Sequence, residues 1–315
     1  MKASLPDGAV WHDGELAVQQ RAGVAEVSGR GIRSSIPEGA LSFLNEQRLA
    51  VFGSTGPDGK IWASLRVGKP GFLHVLDPFT LQTASLEVSG DPLIENLKRN
   101  QDVGMVVIDF GTRRRMRLNG EAEILPDNGL RIRARQVYGN CQQYIQQRAP
   151  ETESESKTGS VAATLISQAG QLNPDQRRWI EAADTLFIAS AHPERGVDAS
   201  HRGGNPGFVK VQSPNRLIIP DYHGNNMFNT LGNISVNPRT GLVFPDFERG
   251  RTLQLSGLAA VDWESDRSAF PGAERLLVFT IESVIEIEQP SLSGYRFQSY
   301  SPFNPKLPPP SRTAL

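Results

Sequence analysis

The sequence predicts a mainly β protein with short helices, built from two tandem copies of one small antiparallel barrel. The chain has 315 residues, of which 30 are glycine and 22 are proline. So many turn-forming residues favour a succession of short strands. At roughly 150 residues per domain, the length also predicts two domains.

An internal repeat shows that the two predicted domains are copies of each other. Residues 61–75, IWASLRVGKPGFLHV, align with residues 197–211, VDASHRGGNPGFVKV, with eight of 15 positions identical at an offset of 136. Residues 104–110 align with residues 241–247 at an offset of 137. Self-similarity at a nearly fixed offset indicates a duplicated structural unit.

Composition divides the rest of the chain. Residues 149–160, APETESESKTGS, contain no aromatic or large aliphatic side chain and predict a flexible linker. The segment after Gln289 holds six prolines, which exclude a helix or a central strand. The predicted segments are an N-terminal arm (residues 1–34), a first copy (35–148), a linker (149–170), a second copy (171–289) and a Pro-rich C-terminal arm (290–315).

Each copy is predicted to begin with a capped helix and to continue mainly as strands. Asn173 before Pro174 is typical of an N-cap followed by a first-turn proline. Strands are predicted at residues 49–54 and 185–190, and two further strands follow in each copy. A second helix is predicted to begin at residues 90–93 and 224–227, before two longer strands close the unit.

Several function classes are disfavoured by composition and by missing motifs. The formal net charge is −1, so neither nucleic acid nor an anionic membrane is expected as a partner. Cys141 is the single cysteine, which excludes an intrachain disulfide and a cysteine-based metal site. The histidine spacing does not match a catalytic zinc motif, so no metal is expected. Without an apolar targeting segment, the protein is expected to be cytoplasmic.

The second copy resembles the FMN-binding split barrels related to pyridoxamine 5'-phosphate oxidase. The similar segments are DASHRGGNPGFVKV, IIPDYHGNNMFNTLGNISVNPRTGLVF and RTLQLSG, while WHDGELAVQQRAGV and YGNCQQYIQQR resemble a two-barrel flavin-nucleotide-binding subfamily. The resemblance implies two split barrels packed as an intrachain pseudo-dimer, with FMN bound between them. The C-terminal ending LPPPSRTAL lacks the Trp/Arg ending of true pyridoxamine phosphate oxidases.

The resemblance places the FMN phosphate mainly in the second copy. Ser200 and Arg202 fall on the phosphate-side strand, and Asn225 and Asn226 open the following helix. Arginine, hydroxyl groups and amides at a helix start are the usual partners of a phosphate. The alternative is that Gly-Asn-Asn only forms a turn and an N-cap.

Other residues are expected around the flavin ring. Pro220, Asp221 and Tyr222 end the strand that would flank it. His201 and His223 are candidate donors to the flavin or substrate, and with Tyr222 they are the candidate catalytic residues. The alternative is that each histidine is merely solvated.

The first copy is expected to complete the pocket of the second. In TRRRMRLNG, alternation along a strand puts Arg115 and Arg117 on one face, and family dimers imply that this strand reaches the partner's flavin. On the matching strand, Arg251, Thr252 and Gln254 are expected to reach the first-copy pocket or to help bind a second ligand. The alternatives are a solvated basic face or a nucleic-acid patch.

The corresponding phosphate site of the first copy is expected to be degenerate. Asp91 would repel a phosphate, and Pro92 removes an amide donor. Asp91 is therefore expected to be a plain N-cap, which predicts an asymmetric pair of sites. Cys141 lies on a helical pattern and is expected to be packed rather than catalytic.

The sequence thus favours an FMN-dependent oxidoreductase acting on a small molecule. An alternative is a non-catalytic flavin-binding or electron-relay protein that works with a separate flavin or ferredoxin-type reductase. A weaker alternative is a haem-binding split barrel with a histidine ligand. The chain is also expected to form a homodimer.

Overall fold

The first sheet contains seven antiparallel strands. A computed structural model describes residues 10–24, 27, 29–85, 88–150 and 163–306. The strands are β1 (Leu49–Thr55), β2 (Ile61–Val67), β3 (Leu73–Asp77), β4 (Thr80–Thr83), β5 (Asp102–Asp109), β6 (Arg114–Ile124) and β7 (Leu130–Asn140). Their spatial order is β2-β1-β5-β6-β7-β4-β3.

A second sheet repeats the first. Its seven corresponding strands are β10 (Thr185–His192), β11 (Gly196–Gly203), β12 (Lys210–Ser213), β13 (Arg216–Tyr222), β14 (Arg239–Asp246), β15 (Arg251–Asp262) and β16 (Ala273–Glu288). Their order is β11-β10-β14-β15-β16-β13-β12, and an eighth strand, β9 (Thr164–Ala169), is added beside β16. The predicted fold class, mainly β with two tandem split barrels, is confirmed.

Strand registers correspond at the offsets found in the sequence. Ala50 faces Arg66 across β1 and β2, and Leu186 faces Arg202 across β10 and β11. The partner of Arg117 on β5 is Val106, while that of Gln254 on β14 is Val243. Equivalent residues of the two copies therefore occupy equivalent places in their sheets.

Each copy ends with one more long strand than predicted. β7 pairs with β4 in the first copy, and β16 pairs with β13 in the second. These pairings join the β3–β4 and β12–β13 hairpins to the rest of their sheets. Leu130, Ile132 and Ala134 of β7 are buried while Arg131, Arg133 and Arg135 are exposed. This alternation of buried and exposed side chains is typical of a strand, although it was not used to predict β7 from the sequence.

The helices are short and lie at the ends of strands. Asn173 caps the predicted helix with a capping box to Gln176, so that prediction is confirmed. An additional helix in the N-terminal arm packs so closely on the last one that a Cβ on Gly14 would lie 2.3 Å from the carbonyl oxygen of Gly232. The α-helices are α1 (Asp13–Arg21), α2 (Leu41–Asn45), α3 (Leu93–Leu97), α4 (Pro174–Ala182) and α5 (Asn229–Val236), with short 3-10 helices at Gly29–Gly31, Glu38–Ala40 and Pro290–Ser293.

The two sheets pack directly against each other. Besides a core within each copy, a third apolar cluster draws on both, with Val51 and Leu65 from the first and Phe187 and Val243 from the second. Equivalent glycines permit the close approach. A Cβ on Gly104 would lie 2.6 Å from the backbone of Asp198, and one on Gly241 would lie 2.6 Å from the carbonyl oxygen of Ile61. The copies are thus arranged as a pseudo-dimer within one chain.

The ends of the predicted linker are paired in strands. β8 (Gln147–Pro150) pairs with β17 (Tyr295–Ser299), and β9 pairs with β16. Residues 151–162 lie outside the described residues, as do residues 307–315 of the C-terminal arm. No helix in the described part of the chain is long and apolar enough to cross a membrane.

Candidate functional site

One cleft collects most of the predicted site residues at the junction of the two copies. The first copy contributes the start of β6 and the segment that follows β7. The second contributes β11, the end of β13 and the loop that precedes α5. The predicted residues that line the cleft are Arg115, Arg117, Ser200, His201, Arg202, Pro220, Asp221, Tyr222, His223, Asn225 and Asn226.

Two predicted residues lie elsewhere. Arg251 forms an ion pair with Glu286 at 3.2 Å and faces another groove, and Thr252 is buried in β15. Strand alternation places Arg251 on the opposite face of β15 from Gln254, and a role for Arg251 and Thr252 at a second ligand stays a prediction. Gln254 is the residue of β15 that reaches across to the first copy, where it donates to Asp91.

Arg115 is a cation without a carboxylate partner among the described residues. Its Nη1 lies 3.1 Å from Nδ1 of His201, and its Nη2 lies 3.9 Å from Sγ of Cys141. Burial lowers the pKa of Arg115 to about 10, so the guanidinium remains charged at neutral pH. A partly buried charge in this state is stabilised by an anion from outside the chain.

Arg117 is neutralised within the protein. It forms a buried ion pair with Asp198 of β11 and donates to Oδ1 of Asn229 at 3.4 Å. The predicted strand from the first copy therefore does reach the second. Of its two arginines at the cleft, only Arg115 is left without an internal counter-charge.

Arg202 shares a buried carboxylate with a second arginine. Its Nη2 lies 3.4 Å from Asp221, whose other oxygen lies 3.3 Å from Nε of Arg275. Burial raises the pKa of Asp221, although Arg202 and Arg275 oppose that effect. Arg275 also pairs with Glu274, so the two guanidinium groups on this side of the cleft face two carboxylates.

The loop before α5 has an uncommon backbone. Asn226 and Phe228 both adopt left-handed conformations, with φ values of 59° and 56°. The helix therefore begins at Asn229, later than predicted, after Phe228 as its N-cap. Non-glycine residues in this region store strain, which commonly marks a ligand-binding segment.

The candidate catalytic residues differ in their surroundings. His201 is buried, and burial together with Arg115 and Arg202 holds its pKa well below the usual value. Since Arg115 donates to Nδ1, the proton of the neutral ring resides on Nε2. His223 is exposed and contacts Glu274 at 3.0 Å. Burial raises the pKa of Tyr222 to about 12, so its hydroxyl stays protonated.

Several buried polar atoms at the cleft lack a hydrogen-bond partner within the described residues. Nε of Arg115, Nε2 of His201 and Oδ1 of Asn140 have no hydrogen-bond partner within the described residues. Buried polar groups are normally satisfied, and leaving one unpaired costs about 1–3 kcal/mol. The cleft is therefore built for a polar ligand.

Three further lining residues were missed from the sequence as site residues. The ring of Tyr144 packs against that of Tyr222 at a tilt of 45°, with centroids 5.1 Å apart, and Asn140 and Asn229 line the same cleft. Cys141 is exposed in a turn after β7, so its expected packed position on a helix was wrong. Asn140 and Tyr144 could have been found from the segment YGNCQQYIQQR, because the whole segment resembles the two-barrel subfamily.

A second cluster could in principle hold a metal ion. Ligand atoms of His12, Asp13 and His192 lie within 4.8 Å of one another. Each histidine already accepts an amide hydrogen at Nδ1, from Glu15 and Glu194 respectively. These hydrogen bonds occupy the nitrogen lone pairs that a metal would require.

Asp91 is more than the plain N-cap that was expected. Its side chain is fully buried and accepts hydrogen bonds from Arg66, Gln254 and the amide of Leu93. Pro92, not Asp91, occupies the N-cap position of α3.

The sequence model of pyridoxamine 5'-phosphate oxidase matches residues 36–162. This match covers less than half of the chain, and it shows that the first copy is similar to the pyridoxamine 5'-phosphate oxidase family. The family consists of flavin-binding split barrels and includes oxidoreductases. The matched residues are mainly those of the first copy, whereas the candidate cleft draws most of its lining from the second.

Comparison with solved structures finds several similar chains. HupZ from Group A Streptococcus is 12% identical, covers 35% of this chain and 90% of its own, and has a TM-score of 0.30. A FAD-binding protein from Mesorhizobium loti is 11% identical, covers 40% and 98%, and has a TM-score of 0.29. General Stress Protein 26 from Bacillus anthracis is 9% identical, covers 38% and 92%, and has a TM-score of 0.25. No curated protein sequence matches the chain.

Proposed function

We propose that the chain binds FMN in this cleft and acts as an FMN-dependent oxidoreductase on a small molecule. The observation that carries the proposal is Arg115, a guanidinium at the junction of the copies with no carboxylate partner among the described residues. The similarity of the first copy to a flavin-binding family suggests the class of ligand. FMN suits this cleft because its anionic phosphate can pair with a guanidinium and its large planar ring is a flavin.

The residues present fit the two parts of FMN. Arg202 and Ser200 on β11 would bind the phosphate together with Asn225 and Asn226 of the loop before α5. Arg115 would add a positive charge that no carboxylate of the described residues neutralises, and this charge would pair with the negatively charged ligand. Arginine and amide donors suit a dianion better than a neutral ligand.

Apolar and aromatic groups at the end of β13 would hold the ring. Pro220 and Tyr222 line the cleft, and Tyr144 supports Tyr222 from the first copy. The unpaired Nε2–H of His201 is available as a neutral donor. Its depressed pKa keeps it neutral, so it does not add positive charge to the site.

When bound, the flavin would supply hydride or electron transfer, and the chain would supply position and electrostatics. The guanidinium of Arg115, which has no carboxylate partner among the described residues, favours negative charge on the ligand. No side-chain base is required for such chemistry. The exposed groups at the cleft mouth, among them His223 and Cys141, would meet the substrate.

Absorption spectroscopy and ligand release test this proposal. Purified protein should show a flavin spectrum, and mass spectrometry of the heat-released ligand should identify FMN. Anaerobic reduction by NADPH or NADH alone would support a self-sufficient oxidoreductase. Reduction only after addition of a flavin or ferredoxin-type reductase would instead indicate an electron relay. Protein that neither contains nor takes up a flavin, or that shows a Soret band lost on His201→Ala, would overturn the proposal.

A further inference from the structure

The first copy contains a filled counterpart of the candidate phosphate site. Arg66 binds both oxygens of Asp91, with Nη1 at 2.9 Å and Nη2 at 2.5 Å. Gln254 donates to the same carboxylate at 2.6 Å from the second copy, and the amide of Leu93 donates at 2.9 Å. The carboxylate is thus surrounded by donors from both copies, as an external oxyanion would be.

The donors in this cluster are equivalent to residues at the candidate FMN cleft. At offsets of 136 and 137, Ser64, Arg66, Thr252 and Gln254 correspond to Ser200, Arg202, Arg115 and Arg117. The hydroxyls of Ser64 and Thr252 are buried and have no hydrogen-bond partner within the described residues. Each copy therefore contributes one unused hydroxyl on the equivalent strands, Ser64 from the first and Thr252 from the second.

The loops before α3 and α5 differ at one informative position. Asp91 accepts a hydrogen bond from the amide of Leu93, and Asn225 accepts one from the amide of Met227, two residues ahead in each case. A carboxylate therefore stands in the first copy where an amide stands in the second. The carboxylate points to Arg66, whereas Asn225 is exposed.

We propose that the first copy holds an oxyanion-binding site occupied by its own Asp91 carboxylate, so that the chain takes one external phosphate ligand rather than two. Removal of this carboxylate should open the site to a small external oxyanion such as formate or phosphate. The prediction of one external phosphate ligand per chain rests on the proposed FMN function, whereas the occupation of the first-copy site by Asp91 does not.

Burial explains why an external anion should be taken up. The side chain of Arg66 is 2% exposed and that of Asp91 is fully buried. Without the carboxylate, Nη1 and Nη2 of Arg66 and the side-chain amide of Gln254 would lose the acceptor that they share. An oxyanion that replaces the lost carboxylate restores those hydrogen bonds, whereas chloride cannot bind Arg66 in the same two-pronged way.

Chemical rescue tests the internal site directly. Asp91→Ala should lower the melting temperature by several degrees, and formate should restore most of that loss at an ionic strength matched with sodium chloride. The wild type and the double variant Arg66→Met/Asp91→Ala should show no formate-specific shift. A single variant that responds equally to formate and chloride, or a double variant that is also rescued, would overturn the proposal.

Stoichiometry provides a second measurement if Asp91→Ala does not fold. Titration of the wild type should give one FMN per chain, and two FMN per chain would overturn the proposal while leaving the FMN function intact. The reciprocal variant Asn225→Asp should lower FMN affinity at least tenfold, with Asn225→Ser as its uncharged control. A wild type that binds no FMN contradicts the proposed function, and formate rescue of Asp91→Ala would still establish the internal site.

Discussion

Arg117 on β6 of the first copy pairs with Asp198 on β11 of the second, and both side chains are buried. The pair joins the two copies beside the candidate cleft, close to Asn229 at the start of α5. Arg115, two residues earlier on the same strand face, has no such partner among the described residues. One arginine thus serves the fold, and the other is available to a ligand.

Loss of the Asp198 charge should destabilise the chain. Asp198→Asn leaves Arg117 buried without its counter-ion, which typically costs roughly 3–5 kcal/mol. The double variant Arg117→Met/Asp198→Asn should recover part of that loss, because no charge then remains unpaired. Urea unfolding of the single and double variants measures this coupling, and additive effects would contradict it.

Substitution of Arg115 should weaken FMN binding with little effect on folding. Arg115→Gln removes a charged hydrogen-bond donor worth roughly 1.5–3 kcal/mol, so affinity should fall about ten- to a hundredfold. Arg114→Gln is the matched control, since Arg114 points to the other face and stacks on Phe43. Fluorescence titration with FMN and with riboflavin, which lacks the phosphate, shows whether Arg115 contacts the phosphate or the ring. Equal affinities of the two variants would count against the site.

The close approach of the two sheets should not tolerate a methyl group at Gly104. A Cβ there would lie 2.6 Å from the backbone of Asp198, so Gly104→Ala should destabilise the chain by roughly 1–3 kcal/mol. Gly139→Ala on β7 is the control, because its Cβ would meet no atom within 4 Å. Comparable unfolding midpoints for the two variants would show that the sheets can move apart freely.

Glu15 should make stability depend on pH. Burial raises the pKa of Glu15 to about 7 from a usual value of 4.5. The folded state therefore retains a proton that the unfolded state has lost, and this contribution to stability decreases as the pH rises from 4.5 to 7. The stability of Glu15→Gln relative to wild type should rise by about 3 kcal/mol across that interval.

His12 also changes the stability of the chain with pH in this interval, so a His12 variant serves as the control. Burial, followed by His192, lowers the pKa of His12 to about 4, so its contribution to stability increases as the pH rises from 4 to 6.5. Denaturant unfolding of wild type, Glu15→Gln and His12→Asn at several pH values separates the two. A constant difference between wild type and Glu15→Gln would refute the raised pKa.

The sequence by itself determined the duplication and the strand-rich class, while most of the predicted cleft residues came from the resemblance to the split-barrel family. Repeat spacing survives in sequence because equivalent strands need the same alternation and the same close-approach glycines, as at Gly104 and Gly241. Alternation also placed Arg115 and Arg117 together on one face. These features depend on local periodicity, which a single chain displays directly.

Only the tertiary structure decided which charges are already neutralised. Arg117 and Asp198 are distant in sequence, as are Gln254 and Asp91, and their pairing depends on how the two sheets meet. Local pattern could mark Asp91 as unfavourable to phosphate, but it could not show that Arg66 binds its carboxylate in the interior. Electrostatic interactions act between groups brought together by folding, so the free charge of Arg115 became visible only in the folded chain.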